Sequence, residues 1–267
     1  MFPKLIGFAL LIAPFSCAAQ QSSLTVEEVL AHARDNVSDF QKSIPAFIAD
    51  ESVLSERFES AVLKDRMNIE SSFQVKRTSP DDSTHETRQV RLVNGIPPKD
   101  PHKIQPPWTF SGGFANVISF VNSKCDDFRL AQPPDARTIV VLANPKPAAA
   151  DRPASCSAES YTLKAVIDPA TFQIIHLEQT TQDAVLKLPM AAHLPFMESF
   201  PESRNNVLSW AVDYAPVELG GKTFWLAKSV TSDFQDKKQK KPVHLHYEAR
   251  YSNYHRFTST STILPTQ

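Results

Sequence analysis

Apolar residues first recur with a helical period behind Thr25. Val26, Val29, Leu30, Ala33, Val37, Phe40 and Ile44 fall at offsets 0, 3, 4, 7, 11, 14 and 18 and form one continuous stripe. Thr25 and Glu28 have capping-box spacing, and Pro45 closes the segment because proline disfavours the helical region in the residue before it. The period then falls to two. Met67, Ile69, Ser71, Phe73 and Val75 alternate with polar neighbours, and Val90 and Leu92 lead into the Asn94-Gly95 turn. Arg88, Arg91, Lys76 and Arg77 are assigned to the outer, solvated side of these strands.

The middle of the chain changes character. Ile96 to Pro107 carries five prolines and reads as extended, irregular chain ending at Trp108 and Phe110. A short second helix is predicted from Gly113 to Asn122, with Phe114, Val117, Ile118 and Val121 on one side. Strands follow at Phe128–Gln132 and Thr138–Ala143, and the Pro/Ala stretch from Pro145 to Pro153 connects strands rather than domains. Tyr161, Leu163, Ala165 and Ile167 alternate, Asp168 to Thr171 turns, and Phe172 to Thr181 returns. Val207–Leu219 and Lys222–Phe234 form a hairpin about Gly220-Gly221, and Val243–Tyr251 and Phe257–Ile263 complete the set. The pattern describes an α+β domain of mostly antiparallel strands with an N-terminal helix. No repeat of solenoid or propeller length occurs.

Composition adds limits. Hydrophobic residues at 42% and charged ones at 21% are globular values. Six glycines against 21 prolines weigh against a Gly-rich phosphate loop. The formal net charge of −1 offers no field for nucleic acid or an anionic membrane. Met1 to Ala19 reads as a secretory signal: Lys4, then an apolar run of eleven from Leu5 to Phe15, then small residues with Cys17 and Ala19 at the −3 and −1 positions. The run is too short for a permanent span. Residues 20–267 then form a single exported domain, in the periplasm or outside the cell, with lipidation at Cys17 as the lesser alternative.

Export changes the reading of cysteine. Only Cys125 and Cys156 remain after cleavage, and an oxidising compartment lets them pair; two separate buried thiols are the alternative. His244 and His246 share one face of a strand at i, i+2. A metal site would need a third ligand, for which His255 or Glu248 are candidates. The plainer reading is surface imidazoles beside the lysine loop 237–241, so no metal and no cofactor is assigned. Asp81, Asp82 and His85 read as a polar turn, and Asp126 and Asp127 point to opposite faces. No Gly-x-Ser-x-Gly elbow anchors a nucleophile, so no catalytic residue is assigned.

The ordered features, namely Ile44-Pro-Ala-Phe after the helix, Asp213-Tyr-Ala-Pro-Val, Gly220-Gly-Lys-Thr-Phe-Trp-Leu and Tyr251-Ser-Asn-Tyr-His-Arg-Phe, resemble a group of secreted bacterial proteins of unassigned function. Their architecture is similar to the LolA-like outer-membrane lipoprotein carriers. The resemblance implies an open, strongly curved half-barrel sheet over the N-terminal helix, with an apolar concavity for acyl chains. Phe40, Phe73, Trp210, Tyr214 and Trp225 are the residues expected to line it, each lying on an element that flanks the concavity. The expected function is non-enzymatic carriage or binding of a lipid or other hydrophobic ligand. The alternative is an envelope scaffold that binds a protein partner.

Overall fold

The capping box at Thr25 is formed in a computed structural model of the chain, which describes residues 24–77, 84–110, 113–131, 137–147, 153, 156, 160–183, 206–236 and 241–257. The Thr25 hydroxyl accepts from the Glu28 N–H at 3.2 Å, and the Glu28 carboxylate accepts from the Thr25 N–H at 2.8 Å. These bonds hold the Glu28 carboxyl below its ordinary pKa. Helix α1 (Val26–Ser43) buries Val29, Leu30, Ala33 and Val37, the centre of the expected stripe. The expected signal segment and the 258–263 part of the last strand lie outside the described residues.

Among the described residues ten strands make one sheet: β1 (Phe47–Glu59), β2 (Val62–Arg77), β3 (Thr84–Val93), β4 (Asp126–Leu130), β5 (Ile139–Pro145), β6 (Ser160–Ile167), β7 (Ile174–Gln182), β8 (Asn206–Leu219), β9 (Lys222–Asp236) and β10 (Val243–Arg256). Their order is β3-β2-β1-β10-β9-β8-β7-β6-β5-β4, and every pairing is antiparallel. The sheet is curved and open, an α+β architecture, with β3 and β4 as its edges.

This order has a topological consequence. Strands β3 and β4 are consecutive in the chain yet lie at opposite edges, so their connection must cross the whole sheet. Laid flat, nine inter-strand spacings of about 4.8 Å each would separate them. The described parts of the connection, residues 94–110 and 113–125, lie across the inner face and bring Trp108, Phe114 and helix α2 (Asn116–Val121) into the core. Trp108 is anchored twice: its N–H donates to Ser55 Oγ at 2.8 Å, and its indole N–H donates to Ser232 Oγ at 3.2 Å. Phe114 stacks on Phe73 at 5.0 Å and meets Tyr251 edge-on at 5.2 Å. Between them the backbone passes so close to β9 that a Cβ on Gly113 would come within 2.8 Å of Val230 Cγ2. The Gly113 carbonyl accepts from the Tyr214 hydroxyl at 2.8 Å.

α1 packs beside this crossing segment. Arg34 Nε donates to the Val121 carbonyl at 2.8 Å, Asn36 Nδ2 to the Thr171 carbonyl at 2.8 Å, and Lys222 Nζ to Ser43 Oγ at 2.9 Å. The α1 stripe, the crossing segment and the inner sheet face therefore share one apolar core.

One assignment is corrected. Arg88 does not face solvent on the outer side of the strands; it pairs with Phe73 in register and points inward. Its Nε lies 2.8 and 2.9 Å from the two oxygens of Glu51, which is buried on β1 and also accepts from Ser71 Oγ at 2.6 Å. Burial opposes the Arg88 charge, but the facing carboxylate outweighs it and raises the guanidinium pKa above its ordinary value. The cause is steric and electrostatic together: a buried carboxylate needs a partner, and Arg88 is the cation whose strand position faces it. Arg91 pairs with Asp50 at 2.8 Å.

Candidate functional site

The inner face is not uniformly filled. A cavity of about 420 Å³ lies between the crossing segment with α2 and strands β4, β6, β7 and β8. Phe110, Phe120, Leu163 and Trp210 form its apolar wall, and Phe110 and Trp210 meet at 5.7 Å between ring centres. Phe120 is held from behind by an edge-on contact with Phe128 at 5.4 Å. Ser119, Ser123, Gln179, Asp126 and Tyr161 add polar groups.

These polar groups differ in how they are satisfied. Asp126 is buried and accepts from the Tyr161 hydroxyl at 2.7 Å, while Asp127 is exposed, so the two carboxylates do point to opposite faces. Gln179 Nε2 donates to Thr181 Oγ1 at 2.8 Å. Asn116 Nδ2, at the first turn of α2, is buried with no hydrogen-bond partner among the described residues. An unpaired buried N–H of this kind costs about 1–3 kcal/mol, and it belongs to a residue that lines the cavity.

The cavity rim carries the disulfide. Cys125 and Cys156 are bonded, with Cα atoms 5.5 Å apart, well inside the range a disulfide spans. Cys125 lines the cavity, so the bond ties the β5–β6 connection to the point where the crossing segment becomes β4.

The five residues expected to line the concavity are distributed differently. Trp210 is on the cavity wall. Phe40, Tyr214 and Trp225 gather around a second hollow of about 100 Å³ between α1 and the β8–β9 hairpin. Phe73 is fully buried, closed over by Phe114 and Tyr251. Phe110, Phe120, Leu163 and Asn116 were not in the expected set. The signal that could have found three of them is the aromatic and helical density of residues 108–121, read as a loop and a short helix without a position in the fold.

The sequence matches no family model and no curated protein. The chain is similar in architecture to a DUF1329 family protein from Desulfovibrio piger, at 8% identity and TM-score 0.42, covering 89% of this chain and 95% of that one. It is similar to a LolA superfamily protein from Nitrosomonas europaea at 10% identity and TM-score 0.32, covering 89% and 96%. A third likeness, to the MucA/MucB complex structure from Pseudomonas aeruginosa, has 7% identity and TM-score 0.20, covering 83% and 93%.

Two polar groupings lie away from the cavity. His176 contacts Asp213 at 2.7 Å and Glu178 at 3.1 Å, and Ser229 Oγ donates to Asp213 at 2.8 Å. Here the serine bonds the aspartate rather than the imidazole, which is not the order of a Ser–His–Asp relay. Burial pushes the Glu178 and Asp213 carboxyls up, but hydrogen bonds from His176 and their other partners outweigh it and leave both below the ordinary range. The second grouping is His244 and His246 with Asp233 of β9. The sequence-based candidates for a third partner are engaged elsewhere: His255 Nδ1 is 2.9 Å from the Asn253 carbonyl oxygen, and Glu248 pairs with Arg250 at 2.7 Å.

Proposed function

We propose that this protein binds one single-chain amphiphile, its acyl chain against Phe110, Phe120, Leu163 and Trp210 and a carbonyl of its head group on Asn116 Nδ2. The observation that carries this reading is a cavity of about 420 Å³ with Phe110, Phe120, Leu163 and Trp210 as its apolar wall and with Asn116, whose amide nitrogen is buried and unpaired among the described residues, lining it. That volume exceeds the roughly 300 Å³ at which ligand pockets begin. Asp126 on the same wall disfavours an anionic head group, so a neutral ester is preferred over a free fatty acid. The disulfide supports an oxidising, exported setting. No helix of the described residues is long and apolar enough to cross a membrane.

The test is a titration of delipidated protein with a long-chain monoacylglycerol and with the matching fatty acid. Binding of one monoacylglycerol per chain, tighter than the fatty acid, is the expected result. Asn116→Leu removes the donor while keeping the side chain's size. It is expected to raise the thermal stability of the unliganded protein and to lower monoacylglycerol affinity by roughly tenfold, the loss of one buried hydrogen bond worth about 1.4 kcal/mol. A variant that is less stable and binds equally well would remove Asn116 from the site. No binding of either lipid would leave the protein-scaffold alternative as the better account.

A further inference from the structure

On the outer face of the sheet, away from the cavity, strands β9 and β10 bring together a second donor set. Asp233 and His246 are direct partners across the ladder, and His244 is two residues earlier on the same side of β10. Asp233 Oδ1 lies 2.8 Å from His244 Nε2 and 2.9 Å from His246 Nδ1. One ligand atom from each residue lies within 4.8 Å of the others. We propose that Asp233, His244 and His246 bind a first-row divalent cation of the Zn²⁺ type.

The chemistry of the set supports this assignment. Two imidazoles and a carboxylate are borderline donors suited to Zn²⁺, which takes nitrogen and oxygen at about 2.0–2.2 Å. Tetrahedral ligands at that distance stand about 3.3 Å apart, so the two Asp233–imidazole distances need to open by only about half an ångström to admit an ion. An ion takes a lone pair from each ring, so with the ion bound the nitrogens that face Asp233 carry no proton. Three protein ligands leave a fourth position open.

Neighbouring strands fix the rings. Phe58 of β1 stacks on His244, ring centres 5.5 Å apart and planes at 19°. Glu56 of β1 is the ladder partner of His246 on the side opposite Asp233, adding a second acidic residue to the row. Glu56 itself accepts from Arg66 Nε at 2.6 Å, which keeps it beside the site rather than in it. All three proposed ligands are partly exposed, at 31%, 38% and 24% for the Asp233, His244 and His246 side chains, so an ion can reach them from solvent.

The experiment is calorimetric titration of the tag-free mature chain with ZnCl₂, followed by imidazole NMR of the same sample. One ion per chain is expected, with His246→Ala and Asp233→Asn each lowering affinity by at least about tenfold and His255→Ala leaving it unchanged. In the parent protein Zn²⁺ should shift the His244 and His246 ring signals and leave His255 in place, a readout that does not depend on the variants folding. No stoichiometric binding, equal loss in His255→Ala, or unshifted His244 and His246 signals would each overturn the assignment.

Discussion

Phe114→Ala is expected to destabilise the protein by about 3–5 kcal/mol, the range for truncating a fully packed phenylalanine. Phe114 lies on the segment that crosses the sheet, and its ring is enclosed by Phe73, Tyr251 and Phe47, the last at 5.7 Å. These three residues come from β1, β2 and β10, so the cavity left by the alanine cannot collapse without moving the centre of the sheet. Urea unfolding of parent and variant measures the difference. A companion change, Phe110→Ala, should cost much less, because Phe110 is only partly buried and already borders the cavity. A Phe114→Ala loss below about 1 kcal/mol would mean that the crossing segment is a loose cover rather than part of the core.

The second large effect concerns the buried ion pair. Arg88→Ala leaves the Glu51 carboxylate buried with the Ser71 hydroxyl as its hydrogen-bond partner among the described residues, and is expected to cost about 3 kcal/mol. The estimate sits at the low end for buried pairs because the Arg88 side chain is 31% exposed, which lets water approach. Glu51→Gln combined with Arg88→Met removes both charges, keeps an acceptor for Ser71 and lays an apolar chain over Phe73. This double variant should recover most of the loss. If it is as unstable as Arg88→Ala alone, the penalty comes not from an uncompensated charge but from the lost cation–π contact of the guanidinium with Phe73, whose ring centre lies 5.2 Å away.

These two sites also explain what could be read in advance. α1 was legible because its capping box, stripe and terminal proline agree at every level. The Gly220-Gly221 hairpin was legible for the same reason: both glycines have positive φ, 65° and 82°, flanked by alternating strands. Strand β1 was not assigned, because its inward positions Phe47, Ala49, Glu51, Val53 and Ser55 include a carboxylate and a hydroxyl, which break the alternation on which a period-two reading depends. Its turn into β2 is also silent in sequence, since Ser60 and Ala61 take φ of 49° and 63° without glycine or asparagine. Arg88 was placed outside for the complementary reason that only a partner 37 residues away makes an inward arginine favourable.

The cavity depended on topology. That β3 and β4 lie at opposite edges is a pairing decision which no local pattern encodes, and it alone sends residues 94–125 across the inner face. The concavity expected beside α1 is thereby reduced to the hollow of about 100 Å³ at Phe40, Tyr214 and Trp225, and the larger space lies on the far side of α2. Trp210 was reached because it lies on β8, which passes both regions.

The most direct test of amphiphile binding is organic-solvent extraction of the purified protein, with the extracted lipid quantified by mass spectrometry against protein. The proposal predicts close to one neutral single-chain lipid per chain, falling sharply when Ser119 on the cavity wall is replaced by Trp to fill the space. Protein that is folded, carries no lipid and takes none up when supplied with monoacylglycerol would contradict the account.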